Sequence, residues 1–207
     1  MPGMKRTIAP MAVAMTVLAL SACSSDSTET PTSQTSDTPT PASATTKARS
    51  DLGEPSSRGN YVGTIGSPTA AGDQRADKPS VTWTITDIAV DAPCELSIAK
   101  PPTNGHFVVA SMDVETAEDF DEDLTLPGGF HPSNNWSIVG PDGYVQPRAA
   151  SDTSIYCIDA EWPKDLAPGS KYRFRVVFDS KTPTGILVYK ASGWRSGWEW
   201  QFPAGGA

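Results

Sequence analysis

The sequence predicts an all-β domain of seven or eight antiparallel strands over 59–207. Short apolar runs there are separated by Gly, Pro and Asp, and no stretch of helical periodicity exceeds two turns. All six tryptophans lie at or after Trp83, so the side chains that could form a core are concentrated in the same region. Short strands joined by turns are typical of an antiparallel sandwich or barrel.

The first half of the predicted domain contains three strand signals. A short strand is predicted over 61–65. Residues 81–86 alternate between apolar and polar, and the alternation shifts phase beyond them, which predicts a β-bulge near Asp87. The segment 106–116 is apolar through Val114, which indicates a central strand.

The second half contains a hairpin and three further strand signals. Residues 136–139 and 144–145 flank Asp142-Gly143, a dipeptide that favours tight hairpin turns. The segment 171–179 alternates most clearly, with its aromatic and aliphatic residues on one face. The remaining strands are predicted over 185–189 and 198–202.

Three of these segments carry a family resemblance. Residues 105–116, the segment 166–179 and the turn at Asp142-Gly143 resemble a family of immunoglobulin-like domains. That family occurs in actinobacterial and other Gram-positive lipoproteins and in a small secreted immunoprotective antigen. The resemblance covers about 60–203 and implies an immunoglobulin-like antiparallel β-sandwich at the cell surface. Most members have no known function, so it implies a fold and a location rather than an activity.

The N-terminus has the pattern of a lipoprotein signal peptide. Two basic residues at 5–6 precede an apolar run over 8–20, which is too short to span a bilayer comfortably. The sequence Leu20-Ser21-Ala22-Cys23 then resembles the bacterial lipobox. The resemblance implies cleavage before Cys23 and acylation of its sulfur, palmitate being a typical acyl chain. The alternative is an ordinary secretory signal that happens to contain a cysteine.

The predicted organisation is a signal peptide over 1–22, a tether over 23–58 and the β-domain over 59–207. Residues 24–49 are rich in Ser, Thr and Pro and lack aromatic and branched aliphatic residues, so the tether is expected to be disordered. The net charge is -8 at pH 7, with no basic stripe, which argues against nucleic-acid binding. Attachment to the extracytoplasmic face of the cell membrane would therefore depend on the lipid anchor.

Two cysteines remain once Cys23 is set aside. Cys94 and Cys157 in an exported domain predict a disulfide bond, with two free thiols as the alternative. Their positions do not match the core bridge of an antibody domain, because Cys94 follows a proline at a strand end and Tyr156 directly precedes Cys157.

The segment 117–134 is the candidate partner-binding loop. It is the longest stretch without a strand signal, and its candidate contact residues are Asp119, Asp121, Asp123, Phe130 and His131. The three aspartates have the spacing of the first EF-hand ligands, but the glycine and the final glutamate of that motif are missing. A solvated loop, a weak calcium site and an apolar lid over the end of the core are the alternatives.

No catalytic motif, dinucleotide fingerprint or phosphate loop is present in the sequence, and no cofactor or metal is predicted. Trp194 lies in a Gly-flanked turn, where an exposed indole could stack on a sugar ring, although core packing is the plainer interpretation. The leading hypothesis is a non-enzymatic interaction module with a protein partner in the cell envelope. The alternatives are a small-ligand, glycan or metal-binding lipoprotein and a cell-envelope hydrolase.

Replacing Cys23 with Ala should abolish incorporation of a labelled fatty acid and leave uncleaved precursor, because the lipid is attached to the cysteine sulfur before cleavage. Metabolic labelling followed by electrophoresis measures both effects. Ser24→Ala, one residue away, is the matched control and should keep the label. Equal labelling of the Cys23→Ala chain would exclude lipidation at this position.

Overall fold

The computed structural model describes residues 55–72, 78–159 and 162–203. The predicted signal peptide, Cys23 and the tether up to residue 54 lie outside the described residues. Within those residues the chain forms nine strands and two single-turn helices. The strands are β1 (Tyr61–Val62), β2 (Pro68–Ala71), β3 (Val81–Val90), β4 (His106–Thr116), β5 (Trp136–Val139), β6 (Val145–Gln146), β7 (Lys171–Ser180), β8 (Gly185–Tyr189) and β9 (Trp198–Phe202). The helices are α1 (Glu122–Thr125) and α2 (Asp152–Ile155).

The strands form two packed sheets, which confirms the predicted all-β sandwich. One sheet has the order β1-β9-β8-β5-β6, and the other has the order β2-β3-β4-β7. All neighbours are antiparallel except β1 and β9, which are parallel. The chain changes sheet after β1, after β4, after β6 and after β7. This order agrees with an immunoglobulin-type Greek key, with β3, β4 and β7 facing β5, β8 and β9.

Most predicted strands are confirmed, and the count exceeds the prediction by β2. This strand begins at Pro68 and has no alternating apolar residues, so its sequence carries no strand signal, yet it pairs with β3 at the edge of the sheet. The bulge predicted near Asp87 is confirmed, since the register between β3 and β4 shifts between Ile85 and Asp87. The shift returns Ile88 to the core face and lets β3 continue to Val90.

Aromatic side chains fill the space between the sheets. Trp83 from β3 meets Trp198 from β9 edge-on, with ring centroids 6.0 Å apart. It also lies 5.5 Å from the ring of Phe130 and 5.9 Å from that of Tyr189, measured between centroids. Full burial of an aromatic or large aliphatic side chain contributes about 3 kcal/mol, so this cluster is a principal source of the stability of the sandwich.

A second, smaller core lies on the outer face of the four-stranded sheet. Phe107 and Val109 of β4 and Val177 of β7 point away from the main core and are covered by Cys157 and Ile158. This outer layer explains why β4 is apolar on both faces. The predicted disulfide is present there, with the Cα atoms of its two cysteines 4.6 Å apart across 63 residues of sequence. In the chain-entropy model, closing such a loop contributes on the order of 4 kcal/mol.

The folded chain begins upstream of the predicted boundary at residue 59. The buried Glu199 carboxylate of β9 accepts hydrogen bonds from Arg58 Nη2 at 2.6 Å and from Asn60 Nδ2 at 3.3 Å. Pro55 also forms a bridge with Tyr61. A boundary between 58 and 59 would separate Glu199 from its counter-ion, so the domain includes at least 55–58.

Replacing Arg58 with Ala should lower the free energy of unfolding by about 1–3 kcal/mol, because it leaves the Glu199 carboxylate buried without its ion pair. Chemical denaturation followed by tryptophan fluorescence measures the change. Arg173→Ala is the matched control, because Arg173 forms a similar bidentate pair with Asp113 that is open to solvent, and it should leave the midpoint nearly unchanged. Equal effects of the two substitutions would rule out a special role for the buried pair.

Candidate functional site

Three connections meet at one end of the sandwich, here called the loop end. The strand registers bring the end of β4, the start of β7, the start of β5 and the β8–β9 turn to this end. The connections 117–135, 162–170 and 190–197 therefore lie together. Lys190 N donates a hydrogen bond to Asn135 O at 2.9 Å, which joins the first connection to the third. Binding surfaces are commonly built from loops gathered in this way on a rigid scaffold.

The candidate loop is fastened to the main core by three apolar side chains. Phe120, Leu126 and Phe130 are all buried in the cluster between the sheets. The prediction that Phe130 supplies contact area to a partner is therefore wrong, because its ring lies 4.9 Å from that of Tyr189 and 6.2 Å from that of Phe174. The sequence could not show this, since these residues follow no strand or helix periodicity and their burial depends on the opposite sheet.

The opposite side of the loop is acidic and open to solvent. Asp121 caps α1, and its carboxylate accepts a hydrogen bond from Leu124 N at 3.1 Å. That turn places Leu124 outward, with 82% of its surface exposed. The neighbouring acidic side chains are also exposed. We call these residues the acidic tip: Glu118, Asp119, Asp121, Asp123 and Leu124.

Glu122 is the acidic residue of this segment that turns inward. Its Oε2 accepts a hydrogen bond from Leu166 N, which joins the candidate loop to the connection before β7. Partial burial raises the pKa of Glu122, the Leu166 hydrogen bond opposes this effect, and nearby Asp165 adds to it. Gly129, at a φ of +52°, passes so close that a Cβ would lie 2.8 Å from Glu122 Oε1, so a side chain there would displace the carboxylate.

His131 lies at the rim of a small cavity beside Glu122. Its ring meets that of Trp162 edge-on at 5.4 Å, and its Nδ1 accepts a hydrogen bond from Ser133 N at 3.2 Å. The cavity measures about 20 Å³ and is lined by Glu122, Phe130, His131 and Trp162 among others. That volume has room for about one water molecule and is far below the several hundred Å³ of a typical small-ligand pocket. The cavity therefore does not support a ligand-binding role.

Trp194, the candidate sugar-stacking residue, is half-buried at the same end. Its ring meets that of Tyr189 edge-on, with 6.0 Å between centroids. The Tyr189 hydroxyl donates to Gly129 O at 3.1 Å, and burial raises the pKa of this tyrosine. Trp198 and Trp200 are buried, so they do not extend Trp194 into an exposed row of aromatic rings that could stack on a sugar.

A buried carboxylate that the sequence analysis missed lies at the opposite end of β7. Asp179 accepts hydrogen bonds from Thr103 N and Asn104 N, each at 2.8 Å, and from Ser151 Oγ. These contacts attach two connections to β7: the β3–β4 connection, which contains Cys94, and the β6–β7 connection, which contains Cys157. Strand alternation placed Asp179 on a face expected to meet solvent, and only the outer layer, which comes from distant sequence, buries it.

The described residues contain no cluster of three or more His, Cys, Asp or Glu side chains suited to a metal ion. The aspartates at 119, 121 and 123 are exposed and form no such cluster. Across 55–72, 78–159 and 162–203, no helix is long and apolar enough to cross a membrane.

No protein-family model, curated protein or solved structure matches the chain. The acidic tip is therefore the candidate site that this geometry favours.

Replacing Phe130 with Ala should lower the free energy of unfolding by about 3–5 kcal/mol, because it opens a cavity among the core aromatic rings. Leu124→Ala, six residues earlier on the exposed side of the same loop, should change it by less than about 0.5 kcal/mol. Urea denaturation measures both values. A stable Phe130→Ala variant would show that the loop is not held by the core.

Proposed function

We propose that this protein is a non-enzymatic interaction module, lipid-anchored through Cys23 to the extracytoplasmic face of the cell membrane. Its acidic tip binds a basic surface on another protein of the cell envelope. The observation that carries this proposal is the position of Leu124, an almost fully exposed leucine surrounded by exposed acids on a loop fastened to the core.

Rigid support favours the tip as a binding surface. Phe120, Leu126 and Phe130 fill the core below it, and the Glu122–Leu166 hydrogen bond holds it to the neighbouring connection. A surface that is already ordered loses little conformational entropy on binding, so more of the contact energy is available for affinity.

The chemistry of the tip favours a basic protein with an apolar notch. The exposed carboxylates would steer such a partner during diffusion and reject acidic surfaces. Leu124 would be the apolar anchor that is desolvated at the centre of the contact. The same negative charge disfavours direct docking on anionic lipid, which agrees with an anchor supplied by acyl chains.

The tether would set how far from the membrane the acidic tip can reach. A flexible chain of about 30 residues has a root-mean-square span of roughly 30 Å. The domain could therefore search a layer of the envelope near the membrane while it stays attached through Cys23.

A photoreactive amino acid at position 124 of the full chain, expressed in cells with a Gram-positive envelope, should form an adduct with one basic envelope protein. The same amino acid at position 98 is the matched control, because Ile98 is also an exposed aliphatic residue, 64% exposed, and lies in the β3–β4 connection. The adduct should weaken as salt is raised, because the attraction between exposed charges is screened.

The charge requirement is tested by changing Asp119, Asp121 and Asp123 together to Asn in the chain that carries the photoreactive residue. Asn keeps the helix cap at 121 and removes three negative charges. The adduct should fall by tenfold or more, with an unchanged melting temperature. An adduct that survives this change, or that forms equally from position 98, would contradict the proposed function.

A further inference from the structure

The connection between β3 and β4 ends on the dipeptide Asn104-Gly105, directly before β4 begins. Of the four asparagines in the chain, Asn104 is the one that a glycine follows. The others are Asn60, Asn134 and Asn135. Glycine has no side chain to hinder the approach of its backbone nitrogen to the amide group of the residue before it. This dipeptide is therefore the sequence most open to intramolecular attack on an asparagine side chain.

The fold requires both residues of the dipeptide. Gly105 has a φ of +127°, a conformation that residues with side chains rarely adopt. Asn104 binds the buried Asp179 twice. Its backbone N donates to Asp179 Oδ1 at 2.8 Å, and its side-chain Nδ2 donates to the Asp179 carbonyl oxygen at 3.1 Å. The contacts with Asp179 and the backbone at 105 therefore place an asparagine directly before a glycine.

The dipeptide is open to water. Gly105 is exposed and Asn104 is half-buried. The backbone N of Gly105 donates no hydrogen bond to any residue within 55–72, 78–159 and 162–203. Beyond its chain neighbours, a Cβ built on Gly105 would have Ser180 O as its nearest atom, at 3.9 Å. The nitrogen can therefore react without breaking a hydrogen bond of its own, and there is space around it.

We propose that Asn104 is a site of spontaneous deamidation. The backbone N of Gly105 attacks Asn104 Cγ, the new N–Cγ bond closes a cyclic imide (succinimide), and the bond between Cγ and Nδ2 breaks. The proton from Gly105 N leaves with the amide nitrogen as ammonia. Water then opens the ring at either carbonyl carbon, which yields aspartate or isoaspartate at position 104. Water is the single co-reactant.

Either product disturbs the attachment of the β3–β4 connection to β7. The new carboxylate has no N–H to donate to Asp179 O, and it places a second negative charge beside the buried Asp179 side chain. Isoaspartate also lengthens the main chain between Asn104 N and the start of β4. Deamidation therefore loosens the β3–β4 connection. This site lies at the end of β7 opposite the loop end, so the acidic tip is unchanged.

Incubation of the full chain in detergent at mildly alkaline pH, followed by digestion and mass spectrometry of the peptides, tests the reaction. Conversion at Asn104 should be about tenfold or more faster than at Asn134 and Asn135, because neither of these is followed by glycine. It should accelerate as pH rises, since Gly105 N must lose its proton. An isoaspartate-specific methyltransferase should label the peptide that contains position 104. Equal rates at the three asparagines, or an unchanged Asn104, would overturn the proposal.

Hydrogen exchange of the two aspartate variants tests the structural consequence. Asn104→Asp should raise the exchange rate of backbone amides in 94–104 several-fold. Asn134→Asp is the matched control, because Asn134 Nδ2 also donates to a backbone carbonyl, Gly128 O at 3.1 Å, but at an exposed position. It should leave exchange in 94–104 at the wild-type rate. Equal exchange in both variants would show that deamidation does not loosen this connection. None of these outcomes depends on the partner of the acidic tip.

Discussion

The packing of Trp83 between the two sheets is the interaction on which the rest of the structure depends. Its indole lies within 6.0 Å, between ring centroids, of Phe130, Tyr189 and Trp198, which come from a loop, from β8 and from β9. One side chain therefore joins the four-stranded sheet, the five-stranded sheet and the loop end. Because aromatic rings bury large areas in few conformations, this contact secures the sandwich and orders the candidate loop at the same time.

Two buried carboxylates organise the parts that the core does not reach. Glu199 pairs with Arg58 and holds the entering chain against the last strand, while Asp179 accepts hydrogen bonds from Thr103 N and Asn104 N and attaches the outer layer. Burying a carboxylate is favourable only when such partners are present, so each site specifies one position for a segment with few apolar residues of its own. The disulfide between Cys94 and Cys157 adds a covalent restraint to the same outer layer.

The sandwich separates its surfaces by chemistry. The loop end presents acids and the exposed Leu124, and the part of the four-stranded sheet that the outer layer leaves open presents cross-strand ion pairs. These surfaces do not overlap, because they lie on different sides of one rigid core.

The sequence by itself determined the strands with clear periodicity, the bulge at Asp87 and the pair of cysteines, because each depends on neighbouring residues or on a simple count. It also predicted that 117–134 is a loop with exposed acids. Only the tertiary structure decided that Phe130 belongs to the core, that Asp179 is buried and that β2 is a strand. In each of these cases the deciding contact comes from residues distant in the chain, and local pattern carries no information about which distant surface will cover a side chain.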